Sequence, residues 1–163
     1  MGRDQLVAWL DDAYAMETGL VGILEQHANA SGEHPDLVER RRRHAQETRE
    51  HANRLRQCLE MLGTQPSSVK AGFSALIGNV EGAMTAAFGD ELIKNALADC
   101  ASEHFEIACY RALIAAACAL DESRLAPLLE ETLSEEEAMA HWLEERIPQV
   151  VQHLLARTMS ARR

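Results

Sequence analysis

Aromatic residues make up only 4% of this 163-residue chain, and proline (four) and glycine (nine) are also sparse. Strands favour aromatic and β-branched side chains, so this scarcity points to helices rather than sheets. Basic charge is short as well: 16 lysines and arginines face 26 acids, a formal net charge of -10, and a nucleic-acid surface would need the opposite balance. The run Arg40 to Arg43 is the exception. Four successive helical residues point all round a helix, so the run reads as a solvated, ion-paired face rather than a phosphate site. No basic start leads into an apolar core, and no apolar run approaches the roughly 18 residues of a membrane span, so a cytoplasmic location is expected. The four cysteines, Cys58, Cys100, Cys109 and Cys118, form no CxxC pair. The last three recur along one expected helix, where geometry forbids pairing among them, which suits a reducing compartment.

What is present is apolar residue at helical spacing, 47% hydrophobic overall, enough for one domain over residues 1–163 with a substantial core. A first helix is expected from about Asp4 to Asn29, with Leu6, Leu10, Ala13, Leu20 and Leu24 on its inner stripe. Gly32 and Pro35 break the period, and Pro35 suits the first turn of a second helix running to Leu62, where Gly63 stops it. That helix has an unusually polar stripe: Leu37, Arg41, His44, Glu47 or Thr48, His51, Leu55, Cys58, Leu62. Residues 64–89 carry Glu81 as the only charge after Lys70, with Phe73, Leu76, Ile77, Val80, Met84 and Phe88 at helical spacing. This reads as a crossover helix long enough to run the length of a bundle and make its neighbours parallel.

A third helix covers about Asp90 to Leu120 and ends in the apolar run Ala112 to Leu120. Burial on every side there suggests a neighbour beyond the chain's own core. A fourth begins near Asp121 to Ser123 and continues to about Ile147, where Pro148 kinks or ends it. Val150, Val151, Leu154, Leu155 and Met159 then form a short C-terminal helix. The expected fold is all-α: a four-helix bundle with ferritin-like connectivity, a crossover between helices 2 and 3, and a short C-terminal helix.

Each main helix has an acid where its core stripe calls for an apolar residue: Glu17, Glu47, Glu106 and Glu136. Glu17 to Glu47 is 30 residues, and so is Glu106 to Glu136. In an antiparallel hairpin, residues equidistant from the turn share a height, and the midpoints, Gly32 and Asp121, both fall in expected loops. Counting therefore sets four inward carboxylates at one level. In the third helix the stripe runs Leu92, Ala96, Asp99, Glu103, Glu106, Tyr110, Leu113 and Ala117. A stripe one residue over, along Ile93, Leu97, Cys100, Ile107 and Ile114, would instead leave both Glu103 and Glu106 in water.

Unpaired buried carboxylates cost several kcal/mol or stay protonated, so four of them converging in a bundle call for cations. Two divalent transition metals, iron first and manganese second, would neutralise them. His51, one turn beyond Glu47, can add nitrogen ligation, and Glu103 can add or replace a carboxylate. His51 also reads as a satisfied, partly exposed histidine. His44, His104 and His141 read as structural or exposed, and the run Glu135 to Glu137 as solvated acids facing the arginines of helix 2.

The segments DAYAMETGL around Glu17, ETREHANRL around Glu47 and His51, EHFEIACY around Glu106 and TLSEEEA around Glu136 carry a resemblance over nearly the whole chain. They are similar to the YciE/YciF-type ferritin-like family of bacterial stress-associated proteins. The resemblance implies a ferritin-like bundle, dimerisation and a di-metal site. The chain departs from the wider ferritin pattern of Glu-x-x-His on helices 2 and 4: His51 stands four residues after Glu47, and Met139 and Ala140 stand where a histidine would follow Glu136. Iron storage in a closed ferritin-like shell is disfavoured by the lack of histidine symmetry at the site and by an apolar crossover that suggests a compact dimer, which leaves two functions. One is a di-iron or di-manganese bundle that handles peroxide or oxygen under stress, with Tyr14 or Tyr110 as nearby redox-capable side chains. The other is a metal-free interaction protein with a vestigial site. Whether the protein is an enzyme is not decided by its sequence. The expected assembly is a homodimer built on the crossover and the apolar end of helix 3, without nucleic-acid or membrane partners.

Overall fold

The computed structural model describes residues 2–32, 34–67 and 90–160. Four long helices account for most of them: α1 (Gly2–Ala30), α2 (Pro35–Met61), α3 (Glu91–Ala119) and α4 (Ala126–Ser160), with a 3-10 turn at Ser123–Leu125 leading into α4. No strand occurs among the described residues. The helix ends are set by local chemistry. Pro35 opens α2, where its missing N–H is no loss. Asp90 caps α3 by accepting from the Ile93 N–H at 3.2 Å.

Both α2 and α3 end in the same backbone motif. After α2, the Gly63 N–H reaches Glu60 O at 2.9 Å and the Thr64 N–H reaches Leu59 O at 3.0 Å, with Gly63 at φ +77°. After α3, the Asp121 N–H reaches Cys118 O at 3.3 Å and the Glu122 N–H reaches Ala117 O at 2.9 Å, with Asp121 at φ 58°. The left-handed residue costs glycine little, and aspartate is among the few others that tolerate it.

Contacts across the bundle fix its connectivity. His27, late in α1, meets Asp99, early in α3, and Glu17 meets Tyr110 further along, so α1 and α3 are antiparallel. Because α1 and α2 form an antiparallel hairpin joined by a short turn, α2 and α3 run parallel. Leu62 and Asp90 therefore lie at opposite ends of the bundle, as a long crossover connection requires. Ser67 marks the way out of α2, its backbone N–H donating to Asp11 Oδ1 at 2.8 Å and its hydroxyl to Asp11 Oδ2. The crossover helix expected over 64–89 lies, beyond Ser67, outside the described residues.

Two features differ from the sequence reading. The helix does not stop at Pro148, and α4 continues through it to Ser160 in place of a separate C-terminal helix. Pro148 is on the exposed side, where a lost backbone hydrogen bond costs least, while Leu143 and Val150 keep the inner side packed. The arginine run is not wholly solvated either. Arg41 is completely buried, its Nε donating to Asp99 Oδ2 at 2.7 Å and its Nη1 to His27 O at 3.3 Å and to the Ser31 hydroxyl oxygen. A buried guanidinium is tolerated here because a buried carboxylate is waiting for it. The same carboxylate meets His27 Nδ1 at 2.6 Å, so Asp99 ties the α1–α2 turn to α3.

Side chains fill the bundle in layers. Near the Leu62 end the core is apolar, with Leu6, Leu10, Leu55, Leu59, Leu113 and Leu129 packed together. At the other end Leu37, Ile93 and Val150 form a smaller cluster. Between them lies a layer built from acids and histidines.

Candidate metal centre

Every helix contributes to that layer. Glu17 of α1, His44 and His51 of α2, Glu103 and Glu106 of α3 and Glu136 of α4 are all buried, none more than 2% exposed. Their donor atoms gather into two groups of three, Glu17–His51–Glu136 and His44–Glu103–Glu136, each with ligand atoms within 4.8 Å of one another. Glu136 belongs to both. One oxygen, Oε1, lies 2.8 Å from His51 Nδ1, and the other, Oε2, lies 3.4 Å from His44 Nε2. Glu17 Oε2 completes the first group at 3.5 Å from His51 Nδ1, and Glu103 Oε1 the second at 3.1 Å from His44 Nε2.

Glu106 faces the same centre without joining either group. Its Oε1 accepts from the Ser102 hydroxyl at 3.0 Å, and its charge would be repelled by Glu136, Glu17 and Glu103. Tyr110 donates its hydroxyl to Glu17 Oε1 at 2.5 Å. Tyr14 packs, partly buried, on the flank of the apolar core.

Glu47 is placed differently from the other expected ligands. It is half-buried, and its Oε2 accepts from Arg40 Nη1 and from His44 Nδ1, both at 2.9 Å. Equal distance from the hairpin turn fixes a residue's height but not the direction in which it points. On α2 the inward positions at that height are His44, Thr48 and His51, so Glu47 falls on the flank. His44, read from sequence as structural or exposed, takes the inner position. The signal for it was its seven-residue spacing from His51, two turns along one face. Of the remaining candidates, His104 and His141 are exposed and pair with Glu144 and Glu145. Glu135 pairs with Arg54 of α2 as expected, whereas Glu137 turns to Arg111 of α3.

The electrostatics follow from burial and from the mixing of acids with imidazoles. Burial raises the pKa of Glu17 and Glu106, and the neighbouring Glu136 charge raises both further. Burial also lifts Glu103, partly offset by His44, to about 8. Burial works against a charged His51, but its contacts with Glu136 and Glu17 outweigh that and carry it up to about 10. His44 is likewise held well above the ordinary imidazole value by Glu103, Glu136 and Glu47 against the cost of burial. Glu136 goes the other way: the two imidazoles overcome its burial and hold it well below the usual carboxylate range. These shifts run in the direction that favours protonated imidazoles beside an ionised Glu136, and protonated Glu17, Glu103 and Glu106.

The donor set fits divalent transition metals. Glu17 Oε2, His51 Nδ1, Glu103 Oε2 and both oxygens of Glu136 are all buried. None of the five makes a well-formed hydrogen bond, although His51 Nδ1 and Glu136 Oε1 lie 2.8 Å apart, and so many buried donor atoms crowded into one small volume are what a bound cation would satisfy. Two imidazoles with a surrounding set of carboxylates suit iron, manganese or zinc. Glu136 turns one oxygen to each group, so both would draw on it if ions were bound.

Residues 2–156 match the domain family described as a domain of unknown function, DUF892. A protein of known structure from Xanthomonas campestris is 33% identical, aligns over 98% of this chain and 99% of its own, and superposes with a TM-score of 0.84. The stress protein YciF of E. coli is 24% identical over 93% of this chain and 98% of its own, with a TM-score of 0.80. The bacterioferritin of Desulfovibrio desulfuricans, a protein with a diiron site, is 19% identical over 96% of this chain and 87% of its own, with a TM-score of 0.74. At those last two identities the likeness speaks for the fold alone, which is a ferritin-like helical bundle. With its fold and nearly its whole length accounted for, the chain belongs to the DUF892 family, the YciF type of ferritin-like protein.

Proposed function

We propose that this protein is a stress-associated ferritin-like metalloprotein that binds up to two divalent transition metals, iron in preference to manganese, and handles peroxide or oxygen with them. The observation that carries the reading is the gathering of two buried donor groups around Glu136, with five donor atoms that make no well-formed hydrogen bond. Glu17 and His51 would hold one ion, His44 and Glu103 the other, and Glu136, common to both groups, would serve both. Glu106 stands ready as a further carboxylate. When bound, two ferrous ions supply the two electrons that take peroxide to water. The chain's own part is to hold the ions dry and close together between four helices. Tyr110, hydrogen-bonded to Glu17, sits within reach of that chemistry as a redox-capable side chain.

Supporting observations extend to the setting. All four cysteines are free, which fits a cytoplasmic protein. No helix of the described residues is long and apolar enough to cross a membrane. Within the arginine run Arg40 and Arg41 are buried on Glu47 and Asp99, while Arg42 and Arg43 stay at the surface beside Asn29 and Glu47, so the run presents no continuous basic face for a nucleic acid. We further propose a homodimer. Trp9 and Phe105 are 46% and 57% exposed along the α1–α3 face, and Ala112, Ala115, Cys118 and Leu120 continue an exposed apolar line to the end of α3. Sedimentation decides this: a monomer at about tens of micromolar would refute it.

One observation favours a second reading, a metal-free interaction protein. His44 and His51, when protonated, already balance much of the acid charge without a metal. The test is the metal content of protein purified without chelator, followed by anaerobic Fe(II) loading and a peroxide challenge. Up to two ions per chain and peroxide loss matched to Fe(II) oxidation are expected. Protein that neither retains nor takes up metal would favour the second reading.

A further inference from the structure

The two histidines of the centre present different ring nitrogens to it. His51 turns Nδ1 toward Glu136 Oε1 at 2.8 Å and Glu17 Oε2 at 3.5 Å, while its Nε2 points away, 2.8 Å from Glu135 Oε2. His44 does the reverse. Its Nε2 faces Glu103 Oε1 at 3.1 Å and Glu136 Oε2 at 3.4 Å, and its Nδ1 lies 2.9 Å from Glu47 Oε2. The rings stand 6.0 Å apart at 69° to each other. Each thus has one nitrogen for the centre and one for an outer carboxylate.

Those outer carboxylates are not free to wander. Glu135 is clamped by Arg54, whose Nη1 lies 2.6 Å from Oε2 and whose Nη2 lies 3.3 Å from Oε1, and the same guanidinium reaches Glu131 at 2.7 Å and the Thr132 hydroxyl at 3.3 Å. Glu47 is held by Arg40 at 2.9 Å and approached by Arg43 at 3.6 Å. Both sit toward the surface, on the far side of the imidazole from the centre.

We propose that Glu47 and Glu135, each braced by an arginine, are positioning residues that lock His44 and His51 in opposite tautomers, so that His44 binds metal through Nε2 and His51 through Nδ1. The inference rests on the metal-site reading above and adds how that site is kept in order. A neutral imidazole has one N–H and one lone pair, and an ionised carboxylate can only accept. The nitrogen facing the outer carboxylate therefore keeps its proton, and the lone pair is left for the nitrogen facing the centre. Two histidines on one face of one helix, two turns apart, would approach neighbouring ions from the same side of α2. Opposite tautomers let each reach its own ion without leaving its acceptor. The position of Glu47, outside both donor groups, is then its function rather than a failure to ligate.

The test is nuclear magnetic resonance of histidine-ring 15N-labelled protein loaded with Zn(II), which is diamagnetic and takes the same donors. Two-bond 1H–15N correlations report which nitrogen of each ring carries the metal and which the proton. The expected result is His51 with metal on Nδ1 and His44 with metal on Nε2. Glu135→Ala should abolish the protected Nε2–H signal of His51 while sparing that of His44, and Glu47→Ala should do the converse. Each should weaken Zn(II) binding by about 10–100-fold. Glu135→Gln, which keeps a carbonyl acceptor, should restore the His51 ring pattern. Zn(II) bound through the same nitrogen on both rings, or ring signals unmoved by either alanine variant, would overturn the inference and leave the metal site standing. Wild-type protein that takes up no Zn(II) would overturn both. If an alanine variant does not fold, the wild-type tautomer pattern still decides.

Discussion

Leu10 and Glu17 stand two turns apart on the same face of α1, and both are fully buried. Around Leu10 the other helices supply Leu55, Leu113 and Leu129; around Glu17 they supply His51, Glu106 and Glu136. The backbone, the helix packing and the exclusion of water are the same in both layers. Only the side chains differ. In the first layer burial is the source of stability, at about 25 cal/mol per Å² of apolar surface removed from water. In the second, burial works against the charged form of every group, and the layer holds together through shared protons and imidazolium–carboxylate contacts. The lesson is that a stripe of buried positions records where the core is, but not which part of the core is there to hold the fold.

That contrast can be broken at either end, and the largest effect belongs to the apolar layer. Leu10→Ala should cost about 2–5 kcal/mol in chemical denaturation, through lost burial and the cavity left behind. An undiminished midpoint would mean that the Leu10 layer carries little of the fold. In the polar layer the sign should reverse. Glu106→Leu should leave metal-free protein unharmed or stabilise it by about 1–3 kcal/mol, since a buried acid held mainly by one serine hydroxyl is replaced by an apolar side chain. Metal should then restore the polar layer's standing. At a hundredfold excess over the wild-type dissociation constant, Mn(II) should stabilise the wild type by about 2.7 kcal/mol for each ion bound, and Glu106→Leu by less at the same Mn(II) concentration.

The pH dependence sharpens the same contrast. His51, raised from 6.5 to about 10, contributes stability that is complete below pH 6.5 and lost as pH rises through about 10. Glu103, raised from 4.5 to about 8, favours the fold as an acid and penalises it as a carboxylate, so stability falls between those values as well. Glu47 acts oppositely, lowered from 4.5 to about 2, so its contribution is present above 4.5 and lost as pH falls through about 2. Thermal unfolding of metal-free protein should therefore peak at about pH 5 and decline toward alkaline pH. With metal present the decline should shrink or reverse, because ions and protons compete for the same atoms. The smallest expected effect lies outside both layers: Asp121→Gly, at a left-handed position, should add roughly 1 kcal/mol without changing metal uptake.

Much of this architecture was legible in the sequence because helical periodicity and hairpin counting are geometric. The equal spacings placed Glu17, Glu106 and Glu136 at one level, and the buried stripe of α3 is the one through Asp99, Glu103, Glu106 and Tyr110. Where the reading fell short, the missing information was azimuth or a partner. Glu47 and Thr48 are adjacent, and only packing decides which of them faces inward. His44 looked structural because its acid partners come from α3 and α4, far away in sequence. Arg41 looked solvated because Asp99, which neutralises it, is 58 residues distant. Pro148 looked like a kink or an end because its exposure was not visible from the chain alone.

Glu136 is the residue on which the account turns, since it alone belongs to both donor groups. The most direct measurement is the number of Mn(II) ions bound per chain, by calorimetric titration at neutral pH, in wild type, Glu17→Ala and Glu136→Ala. The account predicts two ions in the wild type, one lost or greatly weakened in Glu17→Ala, and both lost in Glu136→Ala. A wild type that binds none, or a Glu136→Ala protein that still binds two with unchanged affinity, would contradict it.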